Sequence, residues 1–115
     1  MSELKRLRDD LRRFAAERDW DQYHSPKNLA IALSVEAAEL LEPFQWLSEP
    51  DSACLPSSDR ARVEEEMADV LLYLVRLADK LDVDLVATAK RKMQGNAVKY
   101  PVERARGKST KYTDL

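Results

Sequence analysis

Four carboxylates carry the chemistry that this sequence can offer: Glu36 with Glu39, and Glu66 with Asp69. Each pair has i,i+3 spacing, which puts both acids on one face of a helix. The first pair lies inside an apolar stretch, Leu33-Ser34-Val35-Glu36-Ala37-Ala38-Glu39-Leu40-Leu41, and the second opens another, Met67-Ala68-Asp69-Val70-Leu71-Leu72-Tyr73-Leu74. Carboxylates at a core-facing position are costly unless paired or bound to metal. Glu36 has Ala32, Leu33, Ala37 and Leu40 as helical neighbours, which is no solvent face. Four acids that converge are a candidate site for a hard cation, and hard cations take oxygen ligands. Oxygen-only ligation favours Mg²⁺ or Mn²⁺ over iron or zinc. Mg²⁺ commonly bridges to substrate phosphates, so the reaction class is phosphate-ester or phosphoanhydride hydrolysis. The plainer alternative is that Glu64-Glu65-Glu66 forms a solvated, acidic first turn that complements the helix dipole. Asp69 would then pair with Arg62 or Lys80.

Four helices must position these acids. Leu4, Leu7, Leu11 and Phe14 recur at helical spacing and mark the first, over 2–18. The segment 19–25 is a polar-aromatic loop. Ser25-Pro26 reads as an N-cap followed by proline at the first helical position. The second helix runs from Pro26 to at least Glu42 and is apolar almost all round, so it is expected to be the central, most buried one. Pro43 should kink or end it. Residues 48–58 read as loop. Ser57 or Ser58 can cap the third helix, which continues to about Leu81 with Val63, Met67, Val70, Leu71, Leu74 and Leu77 as its apolar positions. Asp82 or Asp84 caps the fourth, 85–94, and Gly95-Asn96 is its stop signal. The remainder, 98–115, reads as an extended basic tail. The short connection between the second and third helices predicts antiparallel packing, which lets the two acid pairs face each other. The fold class expected is all-α, a four-helix antiparallel bundle in a single domain, 1–115.

Composition narrows the function. A chain of 115 residues with a net charge of −2 offers no global attraction to nucleic acid or anionic membrane. No apolar run approaches the roughly 18 residues of a membrane span, and the first residues lack an apolar signal core. Cys54 is the lone cysteine, which excludes an intrachain disulfide and fits a cytoplasmic protein. One His and one Cys leave too few ligands for an ordinary zinc site.

The sequence resembles the MazG-type nucleotide pyrophosphohydrolases, an all-α superfamily that includes dimeric dUTPases. Its pattern, Glu-x-x-Glu then Glu-x-x-Asp, is met by Glu36-Ala-Ala-Glu39 and Glu66-Met-Ala-Asp69. The flanks are more specific and resemble the dCTP pyrophosphatase branch. They include Phe14-Ala-Ala-Glu-Arg-Asp-Trp20, Gln22-Tyr-His24, Pro26-Lys-Asn-Leu29, Phe44-Gln-Trp46, Asp69-Val-Leu-Leu-Tyr-Leu-Val75, Lys92-Met93, Asn96, Tyr100-Pro-Val102 and Lys111-Tyr-Thr-Asp-Leu115. The resemblance implies a MazG-like bundle assembling as a dimer or dimer of dimers, with sites between subunits. It implies a Mg²⁺-dependent nucleoside triphosphate diphosphatase that splits dCTP or a modified dCTP into monophosphate and pyrophosphate and so cleanses the nucleotide pool. Glu36, Glu39, Glu66 and Asp69 would be metal ligands, one glutamate activating water. Pro43 departs from the branch, which has a helix-continuing residue there.

The base would need an aromatic site, since base–aromatic stacking is worth about 1–3 kcal/mol. Trp46 shares the Glu39 face if the helix is unbroken, and Tyr73 lies four residues beyond Asp69. Trp20 and His24 lie in the loop before the second helix. These four form the candidate base site; the alternative is that Trp46 and Tyr73 are core or oligomer-interface residues. Lys92, Asn96 and Tyr100 recur every four residues, with Lys92 a point charge for phosphate and Asn96 either a ligand or a helix C-cap. Lys108, Lys111 and Tyr112 could close over the phosphates. Arg12-Arg13 and Arg60/Arg62 read as solvated faces. The other functional readings are the same chemistry on dUTP or a broad NTP range, and a non-catalytic helical oligomer or adaptor. Self-association is expected on physical grounds too, because the apolar second helix exceeds what its neighbours can cover.

Overall fold

The computed structural model describes residues 2–115. Among them every regular element is helical: α1 (Glu3–Glu17), α2 (Pro26–Leu41), α3 (Glu49–Ser52), α4 (Ser57–Lys80), α5 (Leu85–Lys99) and α6 (Val102–Ala105), with 3₁₀ turns at Asp21–Tyr23 and Tyr112–Asp114. The residues fall into two compact units, one ending at Asp82 and the other comprising Val83–Leu115.

In the first unit, α2 and α1 both pack on α4. The side chains that meet between α2, its leading loop and α4 fix the direction. Glu42 pairs with Arg62, Glu36 and Glu39 approach Glu66, and His24 meets Arg76. Partner numbers fall on one side as they rise on the other, so α2 and α4 are antiparallel, as the short connection predicts. The core is Ala15 of α1, Leu29 of α2, and Val63, Val75 and Ala78 of α4.

The helix starts follow local chemistry. Ser2 Oγ accepts from the Lys5 N–H at 3.3 Å, Ser25 Oγ from Asn28 at 3.1 Å, and Asp84 Oδ1 from Ala87 at 3.0 Å. Each satisfies one of the donors that a helix N-terminus leaves free. Pro26 occupies the first position of α2, as expected. No side chain caps α4, whose N-cap residue is Pro56, so the expected Ser57 or Ser58 cap is not formed. The end of α1 is a Schellman turn: Trp20 N–H donates to Ala15 O at 2.9 Å and Asp19 N–H to Ala16 O at 3.2 Å, with Asp19 at φ 53°.

Several expectations are corrected. The 48–58 segment contains the short helix α3, capped by Ser48. The helix after Asp84 does not stop at Gly95-Asn96 but runs through to Lys99, because Gly95 keeps helical backbone there and the positive-φ glycine is Gly107. The 98–115 tail is not uniformly extended, since it includes the end of α5, α6 and a 3₁₀ turn. The most buried helix of the first unit is α4 rather than α2: α4 buries Val63, Val75, Arg76 and Ala78, whereas α2 buries Leu29 alone. Apolar residues of α2 such as Ile31, Val35 and Leu41 are exposed, as are Met67, Leu71 and Leu74 of α4. Among the described residues, no helix is long and apolar enough to cross a membrane.

Candidate metal centre

Glu36 and Glu39 lie on one face of α2 and Glu66 on α4, all three half-buried. Each offers a carboxylate oxygen, and these atoms lie within 4.8 Å of one another. Asp69, one turn beyond Glu66 on α4, is not part of that group. It is not taken up by a surface ion pair with Arg62 or Lys80 either: Arg62 pairs with Glu42, and Lys80 Nζ with Asp21 Oδ1 at 2.7 Å.

The cluster is electrostatically unbalanced. Glu36 Oε2 and Glu66 Oε2 are buried with no hydrogen-bond partner. Buried polar atoms are normally satisfied, so an orphaned pair demands an explanation. The neighbouring Glu66 carboxyl, then burial, then Glu39 push the Glu36 carboxyl up to about 7. Like charges this close cannot all ionise at neutral pH without a counter-charge. No lysine or arginine is ion-paired to Glu36, Glu39 or Glu66 among the described residues. A divalent cation fits this donor set: it would satisfy the orphaned oxygens, supply the missing positive charge, and find only oxygen ligands.

With this geometry established, likeness to known proteins decides the family. The model of the MazG-like family matches residues 31–115. The chain belongs to the MazG-like family. Its match includes Glu36, Glu39, Glu66 and Asp69 and extends to the last residue. The chain is 50% identical over 113 residues to dCTP pyrophosphatase 1 of Mus musculus, covering 93% of this chain and 66% of that protein. It is 47% identical to dCTP pyrophosphatase 1 of Homo sapiens, with the same coverage, 93% and 66%. The chain thus spans just under two thirds of the length of these relatives. A crystal structure of a pyrophosphatase from Archaeoglobus fulgidus is 44% identical and superposes with a TM-score of 0.82, over 88% of this chain and 94% of that one.

The expected base-site residues are distributed less simply. Trp20 packs edge-to-face on Phe14 at 5.7 Å between ring centroids and on His24 at 6.4 Å. These contacts assemble the loop half of the expected aromatic site. The helical half departs from expectation: α2 ends at Leu41, and Phe44, Gln45 and Leu47 donate to carbonyls three residues back. Pro43 lacks an N–H and its ring opposes the carbonyl four residues back, so the helix cannot continue. Trp46 therefore leaves the Glu39 face and is 87% exposed. Tyr73 stays half-buried on α4. In the MazG-like fold of this chain, Trp46 and Tyr73 do not stack on the Trp20 ring.

In the second unit, Lys92 and Asn96 lie exposed on α5. Asn96 is not a C-cap; the cap is Tyr100, whose N–H donates to Asn96 O at 2.8 Å. Tyr100 meets Tyr112 edge-to-face at 5.9 Å, and Lys99 Nζ lies 4.7 Å over the Tyr112 ring. Lys108 and Lys111 are exposed on either side of the 109–110 segment.

Sequence reasoning missed one cluster altogether. Arg76 is 6% exposed and donates from Nε to His24 Nδ1 at 3.1 Å, from Nη2 to Asp21 Oδ1, and from Nη1 to Asp79 Oδ2 at 3.5 Å. Asp79 in turn accepts a two-pronged Arg12 guanidinium, 2.7 Å from Nε and 2.5 Å from Nη2. Arg12 is therefore not a purely solvated side chain. The signal was present: Arg76 interrupts the apolar run Leu74-Val75-Arg76-Leu77-Ala78, just as Glu36 interrupts its own.

Proposed function

We propose that this protein is a Mg²⁺-dependent nucleoside triphosphate diphosphatase that hydrolyses dCTP, or a 5-modified dCTP, to the monophosphate and pyrophosphate, with Mn²⁺ a workable substitute. The carrying observation is the carboxylate cluster with its two orphaned buried oxygens, set in a chain half identical to proteins named dCTP pyrophosphatase 1. Glu36, Glu39 and Glu66, joined by Asp69 from the next turn of α4, hold the cation. The cation, when bound, neutralises the phosphate oxygens and lowers the pKa of water. A glutamate oxygen orients the attacking water and takes its proton. The water oxygen bonds to the α-phosphorus as its bond to the α–β bridging oxygen breaks, and pyrophosphate leaves. Trp20 and His24 supply one edge of the base site, with Trp46 and Tyr73 as further contacts. Lys92, Asn96, Tyr100, Lys108, Lys111 and Tyr112 address phosphate and sugar.

The reading includes self-association. Ile31, Val35 and Leu41 of α2, with Met67, Leu71 and Leu74 of α4, are exposed apolar side chains on the two helices that pack together, the kind of surface that a partner covers. A second copy covers it and completes the site as a dimer or dimer of dimers. The nucleotide-pool role belongs in the cytoplasm.

Purified protein with dCTP and Mg²⁺, beside dUTP, dTTP and dATP, tests the reading by resolution of the phosphate products. Monophosphate and pyrophosphate are expected, fastest from dCTP, and abolished by EDTA. Glu39→Gln is expected to reduce turnover by at least ~100-fold while leaving the helical circular dichroism unchanged. Absence of products from all four nucleotides would instead favour the adaptor role.

A further inference from the structure

We infer that Arg76 is a positioning residue for the Trp20–His24 edge of the base site, locking the His24 imidazole in a single tautomer and tying its loop to α4. The inference rests on the nucleotide reading given above, and it assigns a role to a residue outside both the carboxylate cluster and the aromatic set.

The geometry begins with the donor. An arginine is charged at every relevant pH and can only donate. Its Nε lies 3.1 Å from His24 Nδ1, so that nitrogen must be the acceptor. The imidazole is then neutral with its proton on Nε2, leaving one N–H with a fixed identity. Burial and the nearby cations Arg76 and Lys80 hold the His24 pKa below its ordinary value, which agrees with this state. The same guanidinium grips Asp21, two residues before the end of the 3₁₀ turn, and Lys80 reinforces that carboxylate from the next turn of α4. Arg76 thus pins the loop at both Asp21 and His24, on either side of Tyr23. Trp20 adjoins Asp21 in sequence and packs its ring on His24 and on Phe14 of α1.

The loop's other hydrogen bonds hold its backbone and leave the imidazole to Arg76. Within the loop, Gln22 Nε2 donates to Asp19 O at 3.0 Å and Asn28 Nδ2 to Tyr23 O at 3.0 Å. Neither touches the imidazole. Among the described residues, the His24 ring has one hydrogen bond, from Arg76. Removal of that donor frees both tautomers and lets the ring rotate, and a base that needs the Nε2–H then meets a mixed population. Such a population weakens binding in proportion to the competent fraction lost.

The choice of variant separates positioning from simple structural support. Arg76→Lys retains a cation that can pair with Asp21 and Asp79 but has no Nε in the arginine position, so it cannot make the same fork. Arg76→Met removes charge and fork together. His24 is the only histidine, so two-dimensional ¹⁵N–¹H correlation of the imidazole gives one unambiguous pattern. The wild type is expected to show protonated Nε2 and a hydrogen-bonded, unprotonated Nδ1. Arg76→Lys is expected to keep the melting temperature near wild type, show averaged tautomers, and raise KM for dCTP about two- to fivefold with kcat within twofold, the loss of competent fraction that tautomer exchange and ring rotation together give. Arg76→Met is expected to add a fall in melting temperature.

A wild-type His24 with the proton on Nδ1, or an Arg76→Lys protein with unchanged tautomer and KM, overturns the inference. Equal losses of kcat and kcat/KM in Arg76→Lys also overturn it, because they would place Arg76 in the chemical step. If the wild type turns over no nucleotide yet shows the locked tautomer, the nucleotide reading fails and takes the base-positioning role with it. The tautomer measurement then shows that the clamp itself survives, so the two failures remain distinct.

Discussion

Glu36 and Asp79 are both acids in mixed surroundings, yet their neighbours push them in opposite directions. Glu36 is raised from 4.5 to about 7 by Glu66, burial and Glu39. Relative to the unfolded chain, the metal-free native state holds an extra proton between those values. Its stability therefore falls as pH rises from 4.5 towards 7 and remains lower above. Glu36→Gln removes that loss: in EDTA its melting temperature is expected to exceed that of wild type at pH 8 and to match it near pH 4.5. Thermal scans at the two pH values check this. Asp79 behaves inversely. The Arg12 guanidinium, with Arg76 beyond it, holds its pKa below 3.8. That contribution is present above the unfolded value and is lost as pH falls through the native one. Asp79→Asn is expected to cost about 2 kcal/mol at pH 7, the scale of a charged hydrogen bond, and to flatten the acid limb of the stability curve. Urea unfolding at pH 7 and pH 3 measures both.

At the scale of elements, much of the architecture was legible because helix boundaries are local. Ser2, Ser25-Pro26 and Asp84 announce α1, α2 and α5 through side chains that must satisfy free N–H groups. The end of α5 was not legible, since Gly95 and Asn96 stop a helix only when the chain turns left-handed there, and here it does not. The left-handed turn after α1 was equally hidden, because Asp19 rather than glycine makes it. The acid pairs can be read from spacing, and their approach from antiparallel packing; Arg76 is marked locally by the apolar run it interrupts, but its partners Asp21 and His24 lie more than fifty positions away and no local pattern names them. Pro43 marks a break that its chemistry alone predicts, and the exposure of Trp46 follows from it. Pro43→Ala is expected to let α2 continue by about one turn. Far-UV circular dichroism would register the added helix, and an altered KM with intact metal binding would locate the effect at the proposed base site.

At the scale of the molecule, composition named the fold class, but the distribution of apolar surface was legible only in part. Apolar periodicity identifies which helix faces are buried without saying whether the covering surface is in the same chain. The five buried apolar residues of the first unit form a small core, and the exposed apolar residues of α2 and α4 are more numerous. A sedimentation measurement is expected to give a dimer or a tetramer. Val35→Glu with Leu71→Glu is expected to shift that species to monomer at micromolar concentration, because two charges in an apolar contact are costly. A wild-type monomer at the same concentration would contradict the assembly.

The unlike settings of the two tryptophans have an optical consequence. Trp20 is held between Phe14 and His24, whereas Trp46 stands 87% exposed on a helix-ending turn. Trp20 keeps 44% of its surface exposed, about half that of Trp46, so its indole emits at shorter wavelength and meets dissolved iodide less often without being fully shielded. The chain therefore carries two intrinsic dyes, one reporting on the loop before α2 and the other on the turn after it, and each can be followed alone once the other is replaced by phenylalanine.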